Sequence, residues 1–289
     1  MLPFPRVRIP LTRIISALIA FLFGLLVMWA GLPLLGPVYI LLSLIALQEY
    51  AAMMNLRGIP IRIRSLWVAT FLTLPASLPV TYPGMEPLFA GMSWREALLG
   101  IFALYLIALE VIRPNENSLH AVIFTLFGYF YIPWLLGYMI TLRYTPDGVL
   151  GLWYLMFPIL AIVASDVGAY VIGTLFGRRK LAPDISPNKT LEGAFGGLVL
   201  AVTIVSTTAF ALERVLNLRV DLYDGILFGI LVASAAQLGD LFESLLKRWV
   251  GVKDAGYFLP GHGGALDRLD SLLFAVPVTY YFVTLVILR

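Results

Sequence analysis

The 289-residue sequence has no cysteine and only two histidines, His120 and His262. The first absence excludes a disulfide framework, a thiolate nucleophile and thiolate metal sites. The second excludes a multi-histidine metal centre. Any metal here must be a hard cation held by carboxylate oxygens. Charge is scarce as well. Asp, Glu, Lys and Arg make up 13% of the chain, against about 25% in soluble domains. The formal net charge is +3, with no basic array of the kind a nucleic-acid binder needs. No repeat of fixed period and no low-complexity stretch is present.

What the sequence has instead is apolar length. Sixty per cent of it is hydrophobic, and the mean hydropathy is +0.91. Leu, Ile, Val, Phe and Ala come in long blocks rather than in alternation, which points to membrane helices and not a barrel. Arg6, Arg8 and Arg13 precede an apolar run from Ile14 to Gly31. That run exceeds the ~7–15 residues of a signal-peptide core, so we expect a retained first helix. A spanning helix needs ~20 mostly apolar residues. Nine segments qualify: 14–31, 33–54, 65–81, 96–112, 119–141, 149–176, 191–212, 223–248 and 269–288. The expected fold is all-α, a polytopic membrane protein with about nine transmembrane helices.

Lys and Arg concentrate in cytoplasmic loops. With the N-terminus cytoplasmic, fifteen of the twenty Lys and Arg fall on that side. Arg95, Arg143, Arg214, Arg219 and Arg289 fall on the other. We therefore expect a multi-pass protein of the cytoplasmic membrane. It forms a single domain over 1–289, whose half from about 160 to 271 carries nearly all the polar residues of interest.

Two loops predicted to be cytoplasmic stand out. The first, Gly177 to Gly193, carries Arg178, Arg179, Lys180 and Lys189, with Ser186-Pro187 leading into the seventh helix. Thr190 or Ser186 is placed to cap that helix. Backbone N–H groups at a helix start beside Lys189 suit a phosphate, although the positive-inside bias alone also produces basic loops. The second loop, Lys247 to Ser271, packs Asp, Arg, His and Lys among Gly261, Gly263 and Gly264, which allow close backbone approach. Asp267 and Asp270 share a face if a helix begins there.

Charged residues also fall inside apolar spans: Glu49, Glu110, Asp166, Asp240 and Glu243. Such residues are functional candidates by default. Glu49 and Glu110 lie near helix ends, where reaching water is the simpler explanation. Asp166 has small neighbours, and Gly173 and Gly177 follow at four-residue spacing, a pattern of close helix packing. Gln237, Asp240, Ser244 and Lys247 form one polar stripe on the eighth helix. Lipid cannot satisfy such a stripe, so it must face a cavity or a partner. We expect a cavity between the sixth and eighth helices, open to the cytoplasm and sideways to the inner leaflet. Asp240 and Asp267 are placed to hold Mg²⁺ against a triphosphate.

These motifs have a familiar counterpart. Ser244-Leu-Leu-Lys247-Arg248, Lys253-Asp254, Pro260-Gly261-His262-Gly263-Gly264 and Asp267-Arg268-Leu269-Asp270 together resemble the signature of phosphatidate cytidylyltransferases, with its spacing intact. Ser186 to Gly193 and Asp166 to Tyr170 resemble two further segments of that family. The resemblance implies transfer of a cytidylyl group from CTP to phosphatidic acid of the inner leaflet, dependent on one or two Mg²⁺ ions. It assigns the metal to Asp240 and Asp267, with Asp166 and Asp270 as further metal groups. Lys247, Arg248, Lys253, Asp254, His262 and Arg268 become the catalytic set. Ser186, Lys189, Thr190, Glu192, Ser244, Gly263 and Gly264 become the substrate-binding set. The expected partners are CTP, phosphatidic acid and membrane lipids, with a homodimer left open and no nucleic acid. Two alternatives share parts of this pattern. A CTP-dependent polyprenol-type kinase would use similar phosphate machinery. A secondary transporter would also bury polar residues, but would spread them over repeated halves.

Overall fold

The structure is a computed structural model that describes residues 22–79, 82, 93–216, 222–256 and 263–289. The predicted first span up to residue 21, and His262, lie outside the described residues. Residues 22–30 are helical. They are followed by α1 (Leu32–Leu56), α2 (Ile63–Ala76), α3 (Trp94–Ile112), α4 (Ser118–Tyr129), a π-helical turn (Phe130–Trp134) and α5 (Tyr138–Arg143). Then come α6 (Leu150–Phe176), β1 (Lys180–Ala182), β2 (Ser186–Thr190), α7 (Leu191–Leu216), α8 (Leu222–Val250), α9 (Leu266–Phe282) and a closing π-helical turn (Val283–Ile287).

Six helical stretches among the described residues are long and apolar enough to cross a membrane. They are Leu32–Leu56, Ser118–Arg143, Leu150–Phe176, Leu191–Arg214, Leu222–Val250 and Leu266–Ile287. The count of nine is therefore not reached there. α2, predicted over 65–81, is a 14-residue helix. α3 has 19 residues but carries Arg95, Glu96 and Glu110. The all-α expectation also misses one feature, the antiparallel hairpin β1–β2. Pro183 and Asp184 turn the chain between two strands too short and too polar to show an alternating pattern.

Close packing organises the half that carries the two polar loops. α7 runs against α6 along small residues. A Cβ on Gly168 would sit 2.7 Å from Gly196 O, and one on Gly193 would sit 2.8 Å from Ala169 O. Without lipid-versus-water discrimination to drive helices together, such close approach supplies the contact energy through van der Waals packing. α8 lies against both α7 and α9. In the first half, Pro133 lacks an N–H and widens the backbone ladder into a π turn. Its carbonyl then accepts from Tyr39 Oη at 2.8 Å and from Gly137 N at 2.9 Å.

Among the described residues, the loop segments that the charge bias separates make two distinct sets of contacts. In one, Arg57 donates to Trp249 O, Arg62 pairs with Glu110, and Arg248 Nε donates to Ile185 O at 3.2 Å. In the other, Arg143 Nε donates to Met28 O at 2.8 Å, Tyr144 Oη accepts from Leu32 N at 2.6 Å, and Arg95 donates to Trp134 O. Glu110 is buried rather than in water. Arg62 and Ser118 hold its carboxylate, so its role is to tie the α3–α4 turn to the start of α2.

Candidate active site

The first polar loop folds as the hairpin and the first turn of α7. Thr190 Oγ1 accepts from Gly193 N at 3.1 Å, which makes Thr190 the cap of α7. Glu192 reaches back to accept from Arg178 N at 3.0 Å and Arg179 N at 3.1 Å, closing the exit from α6. Ser186 opens β2 and pairs with Ala182. Lys189, at the far end of β2, forms an ion pair with Asp240 on α8.

This ion pair borders an open cavity of about 380 Å³ lined by α6, α7, α8 and the hairpin. Ser165 and Asp166 come from α6, Asn188 and Lys189 from β2, Gln237 and Asp240 from α8, and Ser271 from α9. Gln237 Nε2 donates to Ser165 Oγ and Ala194 O, each at 3.0 Å, and so fixes the inner wall. The predicted cavity between the sixth and eighth helices thus exists, but α7 and the hairpin form a third wall. The polar stripe on α8 divides. Gln237 and Asp240 face this cavity, Ser244 does not line it, and Lys247 turns toward α9.

A second cavity, of about 300 Å³, lies between residues 22–30, α6 and α9. Asp166 and Ser271 line both cavities. Asp267, Arg268 and Asp270 make the polar end of the second. Leu25, Met28, Ile159, Ile162 and Val163 make its apolar wall.

The second polar loop is organised around Asp267. Its Oδ1 accepts from Lys247 Nζ at 2.6 Å, and its Oδ2 from Gly264 N at 2.8 Å and Ala255 N at 3.0 Å. Lys247 also pairs with Glu243, which is fully buried one turn earlier on α8. Gly263 has φ +79°, and a Cβ there would stand 2.9 Å from Asp267 Oδ2, so only glycine fits without strain. Arg248 donates to Ile185 O and Val252 O, which ties the two polar loops together. Lys253 and Asp254 are exposed beside it, and Arg268 is exposed at the start of α9.

The structure thus groups the candidate residues into two clusters. Asp240 stands with Lys189 and within electrostatic reach of Asp166 and Asp270. Asp267 stands with Lys247 and Glu243 and lines the other cavity. No group of three or more metal-ligating side chains is preassembled among the described residues. The donor chemistry nonetheless fits a hard divalent cation. Asp166, Asp240 and Asp270 offer only carboxylate oxygens at the two cavities, and Asp240 would exchange the Lys189 ammonium for the cation.

Several contributors carry a weaker signal in the sequence. Glu243 is a carboxylate in an apolar helix, and its partner Lys247 lies one turn on, at the spacing of a helical ion pair. Asn188 and Ser271 line the first cavity without having been singled out. Glu49, expected to reach water, is buried and accepts hydrogen bonds from the start of α9. No local signal discloses a partner 216 residues away.

Comparison with known proteins accords with this arrangement. A model of the cytidylyltransferase family matches residues 11–286. A phosphatidate cytidylyltransferase of Bacillus subtilis is 38% identical over 278 residues, covering 95% of this chain and 96% of the relative. One of Staphylococcus epidermidis is 35% identical over 272 residues, covering 92% and 96%. One of Synechocystis is 33% identical over 305 aligned positions, covering 96% and 98%. Likeness of this extent takes in both polar loops, both cavities and every described helix, and the chain belongs to the cytidylyltransferase family.

Proposed function

We propose that this enzyme transfers the cytidylyl group of CTP to phosphatidate, giving CDP-diacylglycerol and pyrophosphate at the cytoplasmic face of the membrane. The observation that carries the reading is the meeting of two unlike cavities at Asp166 and Ser271. The first has Lys189 and the opening turn of α7 on its wall, groups suited to the phosphates of a nucleotide. The second joins a polar end to an apolar wall, as a lipid with an ionic headgroup requires. The relatives described above carry the same activity in their names. The cytoplasmic orientation is supported by the Lys and Arg bias of the loops that meet at the site.

In this reaction a phosphate oxygen of phosphatidate attacks the α-phosphorus of CTP. The new O–P bond forms as the bond from the α-phosphorus to the α,β-bridging oxygen breaks, and pyrophosphate departs. The nucleophile is already anionic, so no strong general base is required. The barrier lies in bringing anions together and aligning them. Lys189 would bind the triphosphate from β2. Arg248, Lys253 and Arg268 would gather phosphates at the mouth. Lys247 would hold Asp267 in place, and Gln237 and Ser165 would shape the inner wall. A Mg²⁺ ion held by Asp240, with Asp166, Asp267 and Asp270 as the remaining carboxylates, would neutralise triphosphate charge.

The test is incubation of the purified protein with CTP, phosphatidate and Mg²⁺, with identification of both products. CDP-diacylglycerol with pyrophosphate supports the proposal. CDP with a newly phosphorylated lipid identifies a kinase instead.

A further inference from the structure

Glu49 sits on α1, and its carboxylate is spent on another helix. Oε1 accepts from Ala265 N at 2.9 Å and Oε2 from Leu266 N at 2.8 Å. The residue is 9% exposed. A Cβ on Gly264 would lie 2.6 Å from both carboxylate oxygens, and one on Gly256 would overlap Oε1. A helix start is ordinarily capped by a local Ser, Thr, Asp or Asn. Gly264 and Ala265 provide none, so the cap is imported from a different span. Placing a carboxylate in an apolar helix is costly. The two N–H groups and the positive end of α9 offset that cost.

The capped turn leads directly into Asp267. Asp267 in turn takes Gly264 N, Ala255 N and Lys247 Nζ. An unbroken series of contacts therefore runs from Glu49 through the first turn of α9 to the carboxylate and ammonium at the site. We propose that Glu49 is a positioning residue for the transfer reaction. It fixes the first turn of α9, and with it the direction in which Asp267, Arg268 and Asp270 present themselves to the reacting phosphates. Gly256 and Gly264 are glycine because the Glu49 carboxylate fills the space a side chain would take. This rests on the reading of Asp267 and its neighbours as active-site residues.

The experiment uses the purified 289-residue protein as wild type, Glu49→Gln, Glu49→Asp, Glu49→Ala, Gly264→Ala and the double variant Glu49→Ala with Gly264→Ala. It measures kcat and KM for both substrates and the midpoint of thermal unfolding. Glu49→Gln keeps the volume but replaces one acceptor with a donor. Its kcat should fall about tenfold or more, while KM for CTP moves less than about threefold, as for an interaction felt in the transition state. Glu49→Asp should recover part of the loss. Gly264→Ala should be impaired while Glu49 is present, yet the double variant should be no worse than the Glu49→Ala single variant, because the colliding group is gone.

A Glu49→Gln enzyme with wild-type kcat and a lowered unfolding midpoint would make Glu49 a cap only and overturn the inference. Losses that multiply in the double variant would do the same. A wild type inactive with CTP and phosphatidate counts against the proposed function. An active wild type with an equally active Glu49→Gln variant counts against this inference alone.

Discussion

Lys247 Nζ stands 2.6 Å from Asp267 Oδ1 and also pairs with Glu243, so one ammonium joins carboxylates of α8 and α9. The lysine side chain is 12% exposed and that of Glu243 is fully buried. Removing the cation strands two carboxylates in a low-dielectric setting, a change that costs about 3–5 kcal/mol at buried sites. Lys247→Met should therefore lower the unfolding midpoint and abolish turnover. Adding Glu243→Gln should restore much of the midpoint without restoring turnover. Thermal unfolding in detergent checks this. An unchanged midpoint in Lys247→Met would contradict the pairing.

The Lys189–Asp240 pair behaves differently because both side chains are about one-third exposed, at 31% and 34%. Solvent screening limits such a pair to roughly 1 kcal/mol or less. Lys189→Met should leave the unfolding midpoint nearly unchanged while raising KM for CTP by about tenfold, the loss of one charge-assisted phosphate contact. Steady-state kinetics at fixed phosphatidate separates the two effects. A variant with normal KM for CTP would remove Lys189 from the nucleotide site.

The two cavities make separable predictions. Thr174 is exposed at the first and Val163 at the second. Thr174→Trp should raise KM for CTP and spare phosphatidate. Val163→Trp should raise KM for phosphatidate and spare CTP. Reversed effects, or the same effect from both, would show that the substrates are not divided between these cavities.

Orientation can be read with single cysteines, since the chain has none of its own. Asp184 and Asp147 are exposed in loops that the charge bias separates. Asp184→Cys should react with a membrane-impermeant maleimide only after cells are opened. Asp147→Cys should react in intact cells. The opposite pattern would invert the protein and detach its site from cytoplasmic CTP.

Much of the architecture was legible because membrane helices announce themselves by length. The predicted 149–176, 191–212 and 223–248 correspond closely to Leu150–Phe176, Leu191–Leu216 and Leu222–Val250. α2 came out shorter than 65–81 because hydropathy does not tell a helix from the apolar chain after it. The Asp166 segment was readable as a packing site from its small residues, and α7 proved to be the partner. Pairings between distant segments were not readable. Nothing local to Lys189 names Asp240, and nothing local to Glu49 names Ala265. The stripe on α8 suggested one facing surface. The helix in fact meets a cavity at Asp240 and a second helix at Lys247, because α7 and α9 approach it from different sides.

The central claim is that the α-phosphorus of CTP becomes part of the lipid. It is tested most directly by supplying the purified enzyme with phosphatidate and CTP labelled either at the α- or at the γ-phosphorus, and by measuring label in the extracted lipid. The account predicts incorporation from α-labelled CTP only, with γ label released as pyrophosphate. Lipid labelled from the γ position, with CDP as the nucleotide product, would contradict it.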